Sequence, residues 1–317
     1  MNRSRALDAV RTGLLVVVLG AVAIALWRNW EAVSAELRRL DARVVAGSFV
    51  VGLAAPLFTM FAWRVLLRDL GTTLALPPAA STFFVGQLGK YVPGSVWTVV
   101  MQTEMGARLD VPRRRMAMTG LVMLFLSVLG GAVVALPALP RLLTQSMSGF
   151  SPWWGVAGVA LVLTVLHPPV LNSLITRALR LVRREPLEHD LSAGAIIRSM
   201  LLFFGAWVRT GLSVLVVAAL LVPDAVQAAL ALVCVCGFAL ASVLGMVSFL
   251  LPAGVGVREA VMLLLLTVLM PASAATAVVV LVRFLNVVTD VLFAGAGWLW
   301  ARRHHLLPDT EPTSPTT

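Results

Sequence analysis

Apolar residues run along this chain in long blocks separated by short basic or Pro/Gly-containing stretches, and the blocks have membrane length. Crossing a hydrocarbon core of about 30 Å takes roughly 20 apolar residues in a helix. Six blocks meet or nearly meet that length, at about 12–30, 44–67, 116–139, 153–171, 195–222 and 275–301. The pattern predicts an all-α, polytopic membrane protein. Two further apolar stretches, 83–98 and 244–259, are interrupted by Pro, Gly and charged residues and are expected to be non-helical at depth.

The charge pattern sets an orientation. With the N-terminus inside, the inner segments hold Arg3, Arg5, Arg11, Arg113, Arg114, Arg115, Arg302 and Arg303 among others. The outer ones hold only Arg28, Arg38, Arg39, Arg43 and Arg141. The positive-inside rule then predicts cytoplasmic N- and C-termini in a cell membrane. Under that topology the stretch between residues 67 and 116 must enter and return on the cytoplasmic side. The stretch between 222 and 275 must do so from the other face. The expected architecture is therefore an inverted repeat with two re-entrant helical hairpins. The first half spans about 12–139, the linker 140–194 and the second half 195–301, within one membrane domain over 1–307. The Pro/Thr-rich tail 308–317 is expected to be disordered and cytoplasmic.

Composition supports a membrane class and redirects the meaning of the charge. Hydrophobic residues make up 59% of the chain and the mean hydropathy is +0.93, against roughly 45–50% apolar in soluble domains. The formal charge of +10 is carried by arginines at the ends of apolar runs, which reads as topology and lipid-headgroup contact rather than a nucleic-acid partner. Cys234 and Cys236 lie in an apolar run with no ligand cluster at metal spacing, so neither metal nor cofactor is expected.

Irregular backbone at membrane depth survives only where protein buries it or water fills a cavity. The two hairpin tips should thus share a partly wet interior. After each break a helix begins with its N-terminus near mid-membrane, where free N–H groups and the positive dipole end favour an anion. The candidate substrate-binding residues are Lys90, Tyr91, Pro93, Gly94, Ser95 and Trp97 at the first tip. At the second they are Gly254, Gly256, Arg258 and Glu259. Ser95 fits an N-cap, and Glu259 fits either a first-turn acid or a partner to an arginine. In the last span Arg283, Asn286 and Asp290 share one helical face; Arg283 and Asn286, with Arg209 at an interior place about mid-span in 195–222, complete the substrate-binding candidates. That face of the last span either completes the cavity, with Asp290 as a proton carrier and Glu104 as a second coupling acid, or forms a structural seam pairing with Glu104 or Glu259. The competing reading has Lys90 and Arg258 snorkelling to opposite faces, leaving only packing glycines.

Both broken stretches resemble the membrane region of the lysylphosphatidylglycerol synthase/flippase family, including its stand-alone members without an aminoacyltransferase domain. The resemblance rests on Gly86-Gln87-Leu88-Gly89-Lys90-Tyr91-Val92-Pro93-Gly94-Ser95-Val96-Trp97 and on Leu251-Pro252-Ala253-Gly254-Val255-Gly256-Val257-Arg258-Glu259. The second matches the family's Pro-Gly-Gly-x-Gly-x-Arg-Glu type. The first departs from the synthases, which typically carry an Arg and a Gly-Glu pair soon after the proline. The resemblance implies a lipid-translocating domain acting on an anionic or aminoacylated phospholipid or a polyprenyl-phosphate lipid. The expected partners are membrane lipids, with a homo-oligomer or a separate lipid-modifying enzyme as further candidates. An aminoacyl-lipid synthase needs a soluble domain for charged tRNA, and the chain ends soon after Arg303, so enzyme activity is not expected. An ion-coupled carrier of a soluble solute and a non-transporting scaffold remain as alternatives.

Overall fold

The computed structural model describes residues 27, 30–91, 97–138, 153–181, 189–222, 226–247 and 256–304. Most of the expected span 12–30, the tip residues Pro93, Gly94, Ser95 and Gly254, and the tail 308–317 lie outside them. The described residues are helical apart from turns and short connections. In chain order the helices are α1 Trp30–Arg38, α2 Ala42–Asp69, α3 Leu76–Gln87, α4 Trp97–Ala107, α5 Arg113–Ala135, α6 Trp153–Leu166, α7 Pro168–Leu181, α8 Ala193–Leu221, α9 Gln227–Val247, α10 Val257–Leu266 and α11 Ala272–Arg303.

Five of these, α2, α5, α8, α9 and α11, are long and apolar enough to cross a membrane. Their outward faces carry large apolar side chains, with Val50 62%, Leu201 67% and Phe284 62% exposed. Such exposure on every long helix is the signature of contact with lipid rather than water. Four of the five fall on the expected blocks 44–67, 116–139, 195–222 and 275–301, whereas the expected crossing 153–171 is not one straight helix. α6 ends before His167, and the following helix starts at Pro168 bent by 74°. Pro168 and Pro169 lack the N–H that a continuing helix needs, while proline is well suited to begin a new one. α7 then docks through Leu171 and Leu179 onto a core that includes Leu66, Leu126, Ile196 and Phe203. The Asn172 side-chain amide clamps Leu191 through two 3.0 Å hydrogen bonds.

The two interrupted stretches each give a pair of packed helices. α3 continues as a 3-10 turn over Leu88–Tyr91 and packs on α4; α9 packs on α10. The second arms have only eleven and ten residues, well short of the roughly 20 needed to span. Near the first tip the arms touch so closely that a Cβ on Gly89 would fall on the backbone of Trp97 and Thr98. In the second pair α9 was expected as the long arm of a hairpin; by length and composition it can also cross. Its π turn, Val233–Gly237, brings Val235 against Gly211 of α8, where a Cβ would collide with the Val235 backbone.

The halves meet in exchanged pairs. α2 packs along α8, α3 on α11 and α9 on α5. The Ser48 hydroxyl of α2 donates to the Ser213 carbonyl of α8 at 2.9 Å, and the Ser213 hydroxyl donates to the Ser48 carbonyl at 2.9 Å. Near the other ends of these helices the Ser199 hydroxyl of α8 donates to the Ala62 carbonyl of α2 at 3.4 Å. Ser48 and Ser199 hold the same place counted from the starts of α2 and α8, and so do Ala62 and Ser213. Exchanging α2 and α8 therefore exchanges the two contacts. Because an early residue of each helix meets a late residue of the other, α2 and α8 run antiparallel.

Candidate functional site

At the centre of this arrangement the first pair of arms, the second pair and α11 close around one cavity of about 350 Å³. Ligand sites run to roughly 300–1,000 Å³. Its apolar wall includes Phe83, Phe84, Phe203, Trp207 and Phe238. The Trp207 indole donates to the Ser127 carbonyl at 3.1 Å, tying α8 to α5 behind that wall. Ala55 and Thr59 of α2 and Ala206 and Thr210 of α8 occupy equivalent places in their helices, and all four face the cavity.

The charged wall is built from two clusters. In the first, Lys90 Nζ lies 2.7 Å from Asp290 Oδ2, and the Tyr91 hydroxyl donates to the same oxygen at 2.5 Å. Lys90 also sits 5.4 Å from the centre of the Tyr91 ring. The 3-10 turn that ends α3 presents both residues to α11. Asp290 is the more enclosed partner, its side chain 14% exposed against 35% for Lys90.

The second cluster is organised by Glu259. Gly256, with φ of +88°, is the N-cap of α10, and its N–H donates to Glu259 Oε2 at 2.7 Å. That conformation is one only glycine adopts at low cost. The other carboxylate oxygen faces Arg258 Nη2 at 3.3 Å and Arg283 Nε at 3.6 Å. Arg258 lies 5.8 Å from the centre of the Phe238 ring, within cation–π range. Glu259 thus fills both roles expected of it, capping the helix and pairing with arginines.

Lys90, Arg258, Arg283, Asn286 and Asp290 all reach the one cavity. Three cations and one carboxylate line it among the described residues, with Glu259 behind them. The shared face of Arg283, Asn286 and Asp290 is the one the spacing predicted. On it Asp290 pairs with Lys90 and Tyr91, and Arg283 faces Glu259, one of the two seam partners expected for this face; the other, Glu104, pairs with Arg113 instead.

Other expected site residues sit elsewhere. Glu104 forms an exposed ion pair with Arg113 at 2.9 Å, away from the cavity wall. Trp97 is 44% exposed at the start of α4 and is not among the wall residues. Arg209 is likewise absent from the wall; its Nε is buried in α8 without a hydrogen-bond partner among the described residues. The sequence pattern did not single out Gln102 and Ser242, polar residues that line the cavity from α4 and α9, and Gln87 of α3, which also lines it, stood only within the first interrupted stretch. Their signal was a polar side chain inside an otherwise apolar helix, without the Pro/Gly break that drew attention to the tips.

Residues 12–294 match the model of the lysylphosphatidylglycerol synthase TM region. The chain belongs to this family. No curated protein matches it. The match runs through both interrupted stretches and the charged face of α11, so the cavity lies wholly within the family region. A lysylphosphatidylglycerol synthase TM region carries a lipid-related membrane function, and this chain is a multi-pass membrane member of the group.

Proposed function

We propose that this protein moves a lipid with an anionic headgroup between the two leaflets, with the headgroup passing through the cavity walled by Lys90, Arg258 and Arg283. The observation that carries the reading is the convergence of cations from both interrupted stretches on one cavity. Cations retained deep in an apolar bundle are costly, about 2.5–3.5 kcal/mol each at a bilayer centre on insertion scales, and such residues mark substrate paths. Each lies beside a carboxylate whose place an incoming phosphate can take, while the displaced Asp290 keeps the Tyr91 hydroxyl and Glu259 keeps the Gly256 N–H. The large apolar side chains beside this charged wall suit the acyl end of the same molecule.

The exchanged contacts of α2 and α8, and the antiparallel run of these helices, support an inverted repeat. In that frame the α3–α4 and α9–α10 pairs are re-entrant hairpins from opposite faces, and the termini are cytoplasmic. A cysteine at Arg114, in a chain lacking Cys234 and Cys236, should then resist an impermeant thiol reagent in intact cells; labelling there contradicts the topology.

The transport reading is tested in proteoliposomes carrying acyl-labelled phosphatidylglycerol and an impermeant quencher. The protein should make inner-leaflet label accessible at a rate well above that of empty vesicles. Equal rates would remove the transport reading. Movement of soluble glycerol phosphate, with no movement of lipid, would favour a solute carrier instead.

A further inference from the structure

α6 carries no charged residue along Trp153–Leu166, and its Leu161 and Leu163 are 65% and 64% exposed, so it lies among acyl chains. α7 leaves it at 74°. With α6 running across the bilayer, that bend lays α7 close to the membrane plane. Its contacts fix the end of the bundle at which it lies. The Asn172 amide holds Leu191, and the adjoining Ser192 N–H donates at 2.7 Å to Asp69, the last residue of α2. α7 therefore sits where α2 ends and α8 begins, beside the turns that carry Arg68 and Arg198.

Around its own axis α7 has three sectors rather than two. At about 100° per residue, Leu171, Ile175 and Leu179 point one way, into the core shared with Leu66 and Ile196. Arg177 and Arg180 point nearly opposite and are exposed. Leu174 and Leu181 share the sector between, and both are exposed, Leu181 to 86%. On a helix lying between protein and water that third sector would be bare to water. At a membrane surface it is the part that enters the acyl boundary, while long basic side chains beside it reach the headgroups.

The polar side adds a place for those headgroups. It lines an open groove of about 630 Å³, with Ser173 and Thr176 beside the two arginines and Asp190 on the facing wall. Neither arginine has an ion-pair partner among the described residues. Asp190 offsets one of the two charges and leaves the groove positive.

We propose that α7 is an interfacial helix that gathers anionic phospholipids of the adjoining leaflet, with Leu174 and Leu181 among their acyl chains and Arg177 and Arg180 on their phosphates. This surface is separate from the central cavity, and the proposal is independent of what passes through that cavity. Attraction to an anionic leaflet is worth about a fivefold enrichment for each basic residue near its surface.

The test places a bimane fluorophore on a cysteine at position 181, by Leu181→Cys in the full-length chain lacking Cys234 and Cys236. The labelled protein is put into phosphatidylcholine nanodiscs with a minor fraction of nitroxide lipid, the nitroxide near the top of one acyl chain. The nitroxide lipid is either phosphatidylglycerol or phosphatidylcholine with the same chains. Phosphatidylglycerol should quench about fivefold more effectively, and Arg177→Gln/Arg180→Gln should bring the two lipids level with quenching by phosphatidylcholine unchanged. Arg177→Lys/Arg180→Lys should keep most of the preference, and Arg258→Met, which alters only the cavity, should keep all of it. Equal quenching in the parent chain would overturn the proposal, and quenching by neither lipid would do so by placing α7 in water. A preference that survives the double glutamine variant would assign the lipid to neighbouring charges such as Arg68 and Arg198. A preference lost in the lysine variant would make the arginines packing residues, and one lost in Arg258→Met would assign the quenching lipid to the cavity; each overturns the proposal.

Discussion

Replacing Arg258 by methionine should lower the affinity for an anionic lipid on the order of a hundredfold while leaving the protein folded. Truncating one partner of a buried, hydrogen-bonded charge pair costs about 2–5 kcal/mol of binding, and the Arg258 side chain is only 18% exposed. Stability should suffer much less, because Glu259 keeps two partners, the Gly256 N–H and Arg283. The α10 cap therefore survives, and the stem of methionine replaces most of the contact with Phe238. Arg258→Lys should recover only part of the affinity, since an ammonium cannot serve Glu259 and a phosphate through one planar fork. Lipid binding and thermal unfolding, measured on the same preparations, separate the two effects. A fall in melting temperature matching the loss of binding would make Arg258 a structural residue.

The second large effect is expected at Lys90 and Asp290. Lys90→Met leaves the more enclosed Asp290 carboxylate with Tyr91 alone, an arrangement that breaks an ion pair from one side. Breaking fully buried pairs this way costs about 3–5 kcal/mol; with Lys90 a third exposed to solvent, about 1–2 kcal/mol is the appropriate size. Asp290→Asn, by contrast, frees the ammonium while its amide still accepts from Tyr91. It should bind anionic lipid more tightly, about tenfold, and move it more slowly, because nothing then competes the headgroup off Lys90. The double variant Lys90→Met/Asp290→Asn should recover most of the stability and none of the transport. Tighter transport-competent binding in Asp290→Asn would show that the carboxylate is dispensable for release.

Much of the frame was legible in the sequence because membrane burial writes itself as length. The blocks at 44–67, 195–222 and 275–301 correspond to α2, α8 and α11 with ends within a few residues, since hydropathy and the need for internal hydrogen bonds leave no alternative. The charged face of α11 was legible for a related reason: an arginine and an aspartate inside an apolar helix must face protein. What sequence spacing left open was partner choice. The stripe had Glu104 or Glu259 as seam partners, and its Arg283 does face Glu259, but for Asp290 the spacing named no partner. Only the packing of α3 on α11 put Lys90 and Tyr91 there. Glu104 looked equally buried in sequence, yet α4 ends close to the start of α5, and Arg113 claims the carboxylate at the surface. Arg209 was read as interior and its Nε is indeed buried, but the helical rotation that brings Ala206 and Thr210 to the cavity leaves it off the wall. Gln102 and Ser242 were invisible because a lone polar residue in an apolar helix has no partner in sequence to give it meaning.

The central claim is that Lys90 and Arg258, from the two interrupted stretches, hold one phosphate, and a double-mutant cycle on lipid affinity addresses it most directly. Lys90→Ala, Arg258→Ala and the double variant are compared for phosphatidylglycerol binding under one salt concentration. If both cations share the phosphate, either single change should remove most of the affinity. The double variant should then be little worse than the weaker single one, a coupling of about 0.5–3 kcal/mol as found for residues with a common partner. Losses that simply add, or unchanged binding in the double variant, would contradict a single site.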